Sequence, residues 1–163
     1  MRTKNPSGTD SIQTLLALIS QSYDTRAWHG TNLRGSIRGL TAHKAAWRPS
    51  ANRHNIWEIV VHCAYWKYIV RRRILSEKKG SFPLEGSNWF RRDAKLSEQQ
   101  WRGDVALLES THNSMCDAIA RLKPRDLLLK PRGSKVDTLA IIMGIASHDL
   151  YHAGQIQLLK RLA

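Results

Sequence analysis

Ser147-His148-Asp149-Leu150-Tyr151-His152-Ala153-Gly154-Gln155, running on through Ile156 to Leu162, reads as the second half of a long helix. At 3.6 residues per turn, Ile141, Ile145, His148, His152, Gln155 and Leu159 fall on one stripe about 80° wide, which predicts that this face is buried. The stripe is aliphatic at both ends, yet its middle carries two imidazoles and an amide, groups that need partners once they leave water. Histidines at i and i+4 can aim their ring nitrogens at one ion. Two ligands hold a metal poorly, so a third is expected from another helix, and His62 is the best placed to supply it.

Working outward, the other helices can be read in chain order. Residues 1–9 are expected to form a loose tail, with a single domain over 10–163. Asp10 is a good N-cap for a first helix carrying Ile12, Leu15, Leu16, Ile19 and Tyr23. That helix is expected to kink around Trp28-His29-Gly30 and to resume with Leu33, Ile37 and Leu40. Pro49 and polar neighbours mark Thr41 to His54 as a connection. Asn55-Ile56-Trp57-Glu58 has the form of a capping box, Glu58 reaching back, and opens a second helix to about Ser76, with Ile59, His62, Trp66 and Ile69 on its inward stripe. Glu77 to Leu96 holds Gly80, Pro83 and Gly86 and shows little periodicity. About 20 residues span some 60 Å when extended, enough to cross back along a helix of about 30 Å, so the second and third helices are expected to run parallel. Phe82, Trp89 and Phe90 are expected to pin this crossover.

A second capping box, Ser97-Glu98-Gln99-Gln100, starts a third helix whose seam is Trp101, Val105, Leu108, His112, Met115, Ile119 and Leu122. Pro124, Pro131 and Gly133 end it, and Asp137 caps the fourth, which should be the most buried, its apolar face widened by Leu139, Ile142, Met143, Ala146, Leu150 and Ala153. No strand-like alternation or internal repeat appears. The fold class is therefore all-α, a four-helix bundle with a long crossover between helices 2 and 3.

With 163 residues the chain can build one core without disulfides or a structural metal, so any ion serves chemistry. Leu15 to Ile19 is too short for a signal core or a membrane span. Cys63 and Cys116 suit reduced core thiols, and the expected location is cytoplasmic. Lys and Arg number 26 against 13 acidic residues, a net charge of +13 that attracts polyanions without naming one. Much of it falls near helix C-termini, where cations complement the dipole, and reads as a solvated basic surface. Missing G-x-S-x-G, H-E-x-x-H, P-loop and C-x-x-C patterns exclude the better-marked hydrolases, proteases, nucleotide-binding proteins and thiol oxidoreductases.

Three neutral imidazoles from His62, His148 and His152 with an open position suit a catalytic ion, zinc best among the common ones, with nickel, iron and manganese left open. Asp149, rotated about 100° from His148, is expected to be solvated. His112 reads as core or pocket lining; His29 beside the expected kink is a weaker pocket candidate; His43 and His54 are expected to be exposed. Glu58 is a candidate general base or hydrogen-bond partner of a ligand histidine. Gln155 is a candidate partner of His152, and Tyr151 a proton donor at the rim.

The chain resembles the DinB-like (YfiT-type) family of four-helix-bundle metalloproteins. The resemblance rests on Ile56-Trp57-Glu58-Ile59-Val60-Val61-His62 with Ala64-Tyr65-Trp66, and on His148-Asp149-Leu150-Tyr151-His152-Ala153-Gly154-Gln155-Ile156, and it extends from about Ser11 to Leu162. It implies a divalent metal held by His62, His148 and His152 that activates a thiol or water, a homodimer, and thiol-dependent S-transfer with a low-molecular-weight thiol or a related isomerisation; the leading expectation is a thiol S-transferase or hydrolase. Two other readings stay open: a basic bundle binding nucleic acid through Tyr65, Trp66 and Arg71 to Arg73, and a stress-related interaction protein without turnover.

Overall fold

Three side chains set the starts of three of the four long helices. Asn55 Oδ1 accepts the Glu58 amide at 2.8 Å, Ser97 Oγ accepts the Gln100 amide at 3.2 Å while Gln100 Oε1 accepts the Ser97 amide, and Asp137 Oδ1 accepts the Ala140 amide at 2.8 Å. The computed structural model, which describes residues 8–80, 82–93, 95 and 97–163, accordingly has α1 Gly8–Tyr23, α2 Leu33–Ser36, α3 Ala42–Ala46, α4 Ile56–Ile74, α5 Glu98–Ala120 and α6 Thr138–Leu162. A 3-10 turn at Pro124–Leu128 precedes α6, and the described residues contain no strand. No described helix is long and apolar enough to cross a membrane.

The long helices form the expected bundle. Trp57 near the start of α4 donates to Asp104 at 2.6 Å and meets Trp101 edge-on near the start of α5; further along, Val70 near the end of α4 clusters with Met115 and Ile119 near the end of α5. Starts face starts, so α4 and α5 run parallel and residues 75–97 cross back between them. Against α6 the order reverses. Trp57 and Val60 near the start of α4 cluster with Ile156 and Leu159 near the end of α6, whereas Val70 near the end of α4 clusters with Ile141 and Ile142 near the start of α6. The crossover is held by Phe90, which is buried, and by Phe82 against Tyr65 and Tyr68.

The apolar core comes in two parts. One gathers Trp57, Val60, Leu108 and Ile156 at one end of the bundle; the other gathers Ile12, Ile19, Met115, Ile119 and Ile142 at the other. Between them lies a polar layer of buried Lys67, Asp149, His112, His62 and His152 with half-buried His148. Asp149 thus corrects the expectation of a solvated side chain. It has no exposed surface and is ion-paired to Lys67, which is equally buried. A second helix, not solvent, meets this face of α6, and each charge is admitted because the other neutralises it.

Four further expectations are revised. The first helix does not kink and resume: it ends at Tyr23, and α2 and α3 are separate short helices capped by Asn32 and Thr41. It already includes Gly8 and Thr9, with Asp10 inside its first turn, while residues 1–7 of the expected tail lie outside the described residues. The most buried helix is α4, not α6, because it is packed by α3, α5, α6 and the crossover, and every residue from Ile56 to Ala64 is buried. Finally, α4 stops at Ile74, where the Leu75 amide returns to the Arg71 carbonyl at 3.0 Å and Ser76 turns to φ 54°.

Removing one half of the buried pair leaves the other charge stranded. Lys67→Met is expected to destabilise the protein by about 3–5 kcal/mol in urea unfolding, and Lys67→Met with Asp149→Leu to recover most of that loss. A single substitution costing under about 1 kcal/mol would show that the pair is not buried as described.

Candidate metal centre

The centre begins with two histidines whose tautomers are fixed by oxygen acceptors. His62 Nδ1 lies 2.8 Å from the carbonyl oxygen of Asn88, which can only accept, so Nδ1 carries the proton. His152 Nδ1 lies 2.7 Å from Gln155 Oε1, and the same amide donates through Nε2 to the Tyr151 hydroxyl at 3.0 Å, so this Nδ1 is a donor too. Both Nε2 atoms are therefore bare lone pairs. They converge on a third imidazole, His148, whose Nε2 is 3.0 Å from that of His62 and 3.2 Å from that of His152. The structure brings together the trio expected from the sequence, and a metal-sized gathering of donor atoms is formed by these same three residues.

Helix geometry explains the placement. His148 and His152 lie one turn apart on α6, with rings 4.4 Å apart at 74°, and His62 enters from α4 with its ring 5.0 Å and 4.8 Å from them. The crossover closes the third side. Asn88 sits at φ 65°, a left-handed conformation uncommon outside glycine, and there its carbonyl takes the His62 proton while its Oδ1 accepts Trp66 Nε1 at 2.9 Å. Trp89 is sandwiched between two imidazoles, 3.9 Å from His62 and 3.6 Å from His54, both nearly parallel to it. Residues 88 and 89 were not singled out for this role by sequence, since a carbonyl acceptor leaves no mark on residue type. The Ser87-Asn88-Trp89-Phe90 run of turn former and aromatics was the available signal.

Burial keeps the rings neutral. It lowers His148 from the ordinary 6.5 to about 3, with His152, His62 and Lys67 adding repulsion. It lowers His152 to about 4, reinforced by His62 and opposed by the Gln155 hydrogen bond, and lowers His62 against the Asn88 bond. A ring that resists protonation keeps its lone pair for a cation.

The remaining candidates fall elsewhere. Glu58 does not reach back to its cap or touch His62. Its carboxylate takes both Arg48 nitrogens at 2.7 and 3.2 Å, His54 Nδ1 at 3.0 Å and the Arg92 amide at 3.1 Å. Burial alone would raise its pKa, but those donors outweigh it and hold the carboxyl below the ordinary range, which unsuits it to the work of a base near neutrality. His112 belongs to the core, stacked on Tyr23 at 3.5 Å with the Cys116 thiol 3.5 Å away. His29 is exposed beside the fully exposed Trp28 and is no member of the histidine cluster; His43 is exposed, as is His54 on one face. Cys63, His148 and Asp149 form a second close group, but Asp149 is taken by Lys67, and burial pushes the Cys63 thiol well up, so it stays protonated.

The class is that of all-helical bundles with parallel second and third long helices, here with a histidine trio between the second and fourth. The family profile of the DinB superfamily matches residues 25–156, and the chain belongs to that superfamily. No curated protein and no solved structure matches it.

The neutral buried rings make stability depend on pH with a definite sign. A histidine with a folded pKa below its unfolded value binds more protons unfolded, so its contribution is whole above about pH 6.5 and is lost as pH falls toward 3 to 4. His112, held at about 3 by burial, adds the same sign. Metal-free protein should therefore lose up to about 1.4 kcal/mol per pH unit per histidine between pH 7 and 5.5, read as a falling urea midpoint. A level midpoint over that range would mean that the rings are solvated or paired with charge.

Proposed function

We propose that the protein is a divalent-metal-dependent enzyme, a thiol S-transferase or hydrolase, with His62, His148 and His152 as the metal ligands. The observation that carries this reading is the meeting of two bare Nε2 lone pairs, their tautomers fixed by Asn88 and Gln155, at a third imidazole. Left alone, the trio can satisfy itself only by sharing one His148 proton between two acceptors; a cation uses all three lone pairs. The spacings of 3.0 and 3.2 Å are also close to the edge of about 3.3 Å expected for two nitrogens on tetrahedral zinc.

Zinc is the ion we favour, as three imidazoles suit it best among common divalent metals. Bound there, it would lower the pKa of a thiol or water enough for attack on an electrophile at neutral pH. The protein's own contribution is orientation. Asn88 and Gln155 lock two rings, Trp89 stacks on one of them, and the exposed Tyr151 hydroxyl, held by Gln155, stands beside His152 to meet a small-molecule substrate, for which a low-molecular-weight thiol is our candidate. Glu58 and Asp149 are both committed to cations, so proton transfer is assigned to neither. Two free cysteines suit a reducing compartment, and a cytoplasmic location is part of the proposal.

Untagged protein should carry close to one equivalent of metal per chain, and His→Ala at 62, 148 or 152 should each lower it sharply. Gln155→Ala should weaken affinity by about 10- to 100-fold while leaving the fold intact. Unchanged metal content in the histidine variants would discard the ligand assignment. Turnover of electrophiles with bacterial thiols, lost on chelation and restored by zinc, supports the enzyme. Bound metal without turnover over thiols and esters would favour the interaction protein.

A homodimer is the assembly we propose. Met143, Tyr151, Leu158 and Leu162 are large apolar side chains left exposed within about 100° of one face of α6. Sedimentation equilibrium should give twice the chain mass of 18.6 kDa, and Leu158→Glu should halve it. A wild-type protein that sediments as a monomer would remove this part of the proposal.

A further inference from the structure

The first half of the crossover and the end of α4 enclose a cleft of about 1090 Å³, and none of the three clustered histidines lines it. Its walls combine two chemistries. Tyr65 and Phe82 supply aromatic surface, their rings meeting edge-on at 5.3 Å, with Trp66 beside them. Arg72, Arg73, Lys79 and Arg132 bring positive charge from the last turn of α4, the crossover and the link before α6.

That charge is unspent. Of the two carboxylates in the lining, Glu77 is held by Arg71. Arg72 gives one nitrogen to the Glu77 carbonyl at 3.3 Å, while its Nε is buried with no partner. Arg73, Lys79 and Arg132 form no ion pair among the described residues. Complementing the helix dipole explains cations in the last turn of α4, but Lys79 and Arg132 lie outside it and still face the same space. Unpaired cationic side chains and aromatic walls in one concave site form the combination that suits an anion carried on a planar group.

We propose that this cleft binds a small planar molecule bearing an anionic group, a phosphate or a carboxylate on an aromatic ring, with the ring against Tyr65 and Phe82 and the anion against Arg72, Arg73 and Arg132. The proposal does not rest on the metal reading, since the cleft and the histidines share only backing residues such as Trp66 and Asn88.

Calorimetry with phenyl phosphate at low salt tests it, in chelator-treated and zinc-loaded protein alike. One saturable site per chain is expected, with inorganic phosphate and phenol each binding more weakly than the whole molecule; benzoate in its place distinguishes carboxylate from phosphate. Arg73→Gln with Arg132→Gln should weaken binding at least tenfold. Lys44→Gln with Arg161→Gln removes the same charge from exposed positions outside the cleft and should leave binding unchanged. No saturable binding at millimolar ligand, or equal weakening by both double variants, overturns the proposal. So does a single-stranded oligonucleotide whose affinity grows with its length, because the occupant would then be a polymer.

Discussion

The hydrogen bond from His62 Nδ1 to the Asn88 carbonyl joins the topology of the bundle to its chemistry. Helices α4 and α5 run in the same direction, so the chain must travel the length of the bundle between them, and that return path passes over the middle of α4 where His62 lies. A tight turn between antiparallel helices would leave no backbone there. Because the crossover is present, a carbonyl can fix the tautomer of a buried histidine without a side chain from another helix. The cost is local: Asn88 takes a left-handed conformation, offset by the Trp66 bond to its side chain and by Trp89 stacking on His62. The Arg48, Glu58, Asn55 and Arg92 bonds then tie the far end of the crossover to the start of α4.

The same helix carries a second polar element one turn further on. Lys67 and Asp149 lie fully buried between two apolar clusters, with the aromatic face of Tyr23 under the ammonium at 4.9 Å. An apolar pair in their place would hold the helices nearly as well. What the ion pair adds is register: α6 can meet α4 with the charges matched in one alignment, and that alignment brings His148 and His152 to His62. A slide of one turn would bury both charges alone.

Several parts of this arrangement were legible in the sequence. The capping residues Asn55, Ser97 and Asp137 act locally, so they mark helix starts without knowledge of the fold, and the stripes of α4, α5 and α6 follow from period alone. The trio was legible because two histidines one turn apart on a buried face leave few candidates for a third. Partners across the bundle were not. Glu58 looked like the return half of a capping box, but Arg48 and the Arg92 amide, 10 and 34 residues away, claim its carboxylate. Asp149 looked solvated because a helical wheel shows the angle of a side chain and not what stands opposite it. The aromatic clamp was hidden for a similar reason, since nothing in Asn88 or Trp89 alone says which helix the loop will cross.

The clamp also bears on how the centre resists disorder. His62 is held at Nδ1 by a backbone carbonyl, on one face by Trp89, and at its edge by Trp66. His152 is held at Nδ1 by Gln155. His148 alone has a buried Nδ1 without a partner, and it is also the least buried of the three rings. Two rings are thus preorganised, and the third is the one free to adjust. In an ensemble of side-chain rotamers, fixing two donors would leave only the third to be ordered by a cation of the kind proposed, which would reduce the entropy lost on binding.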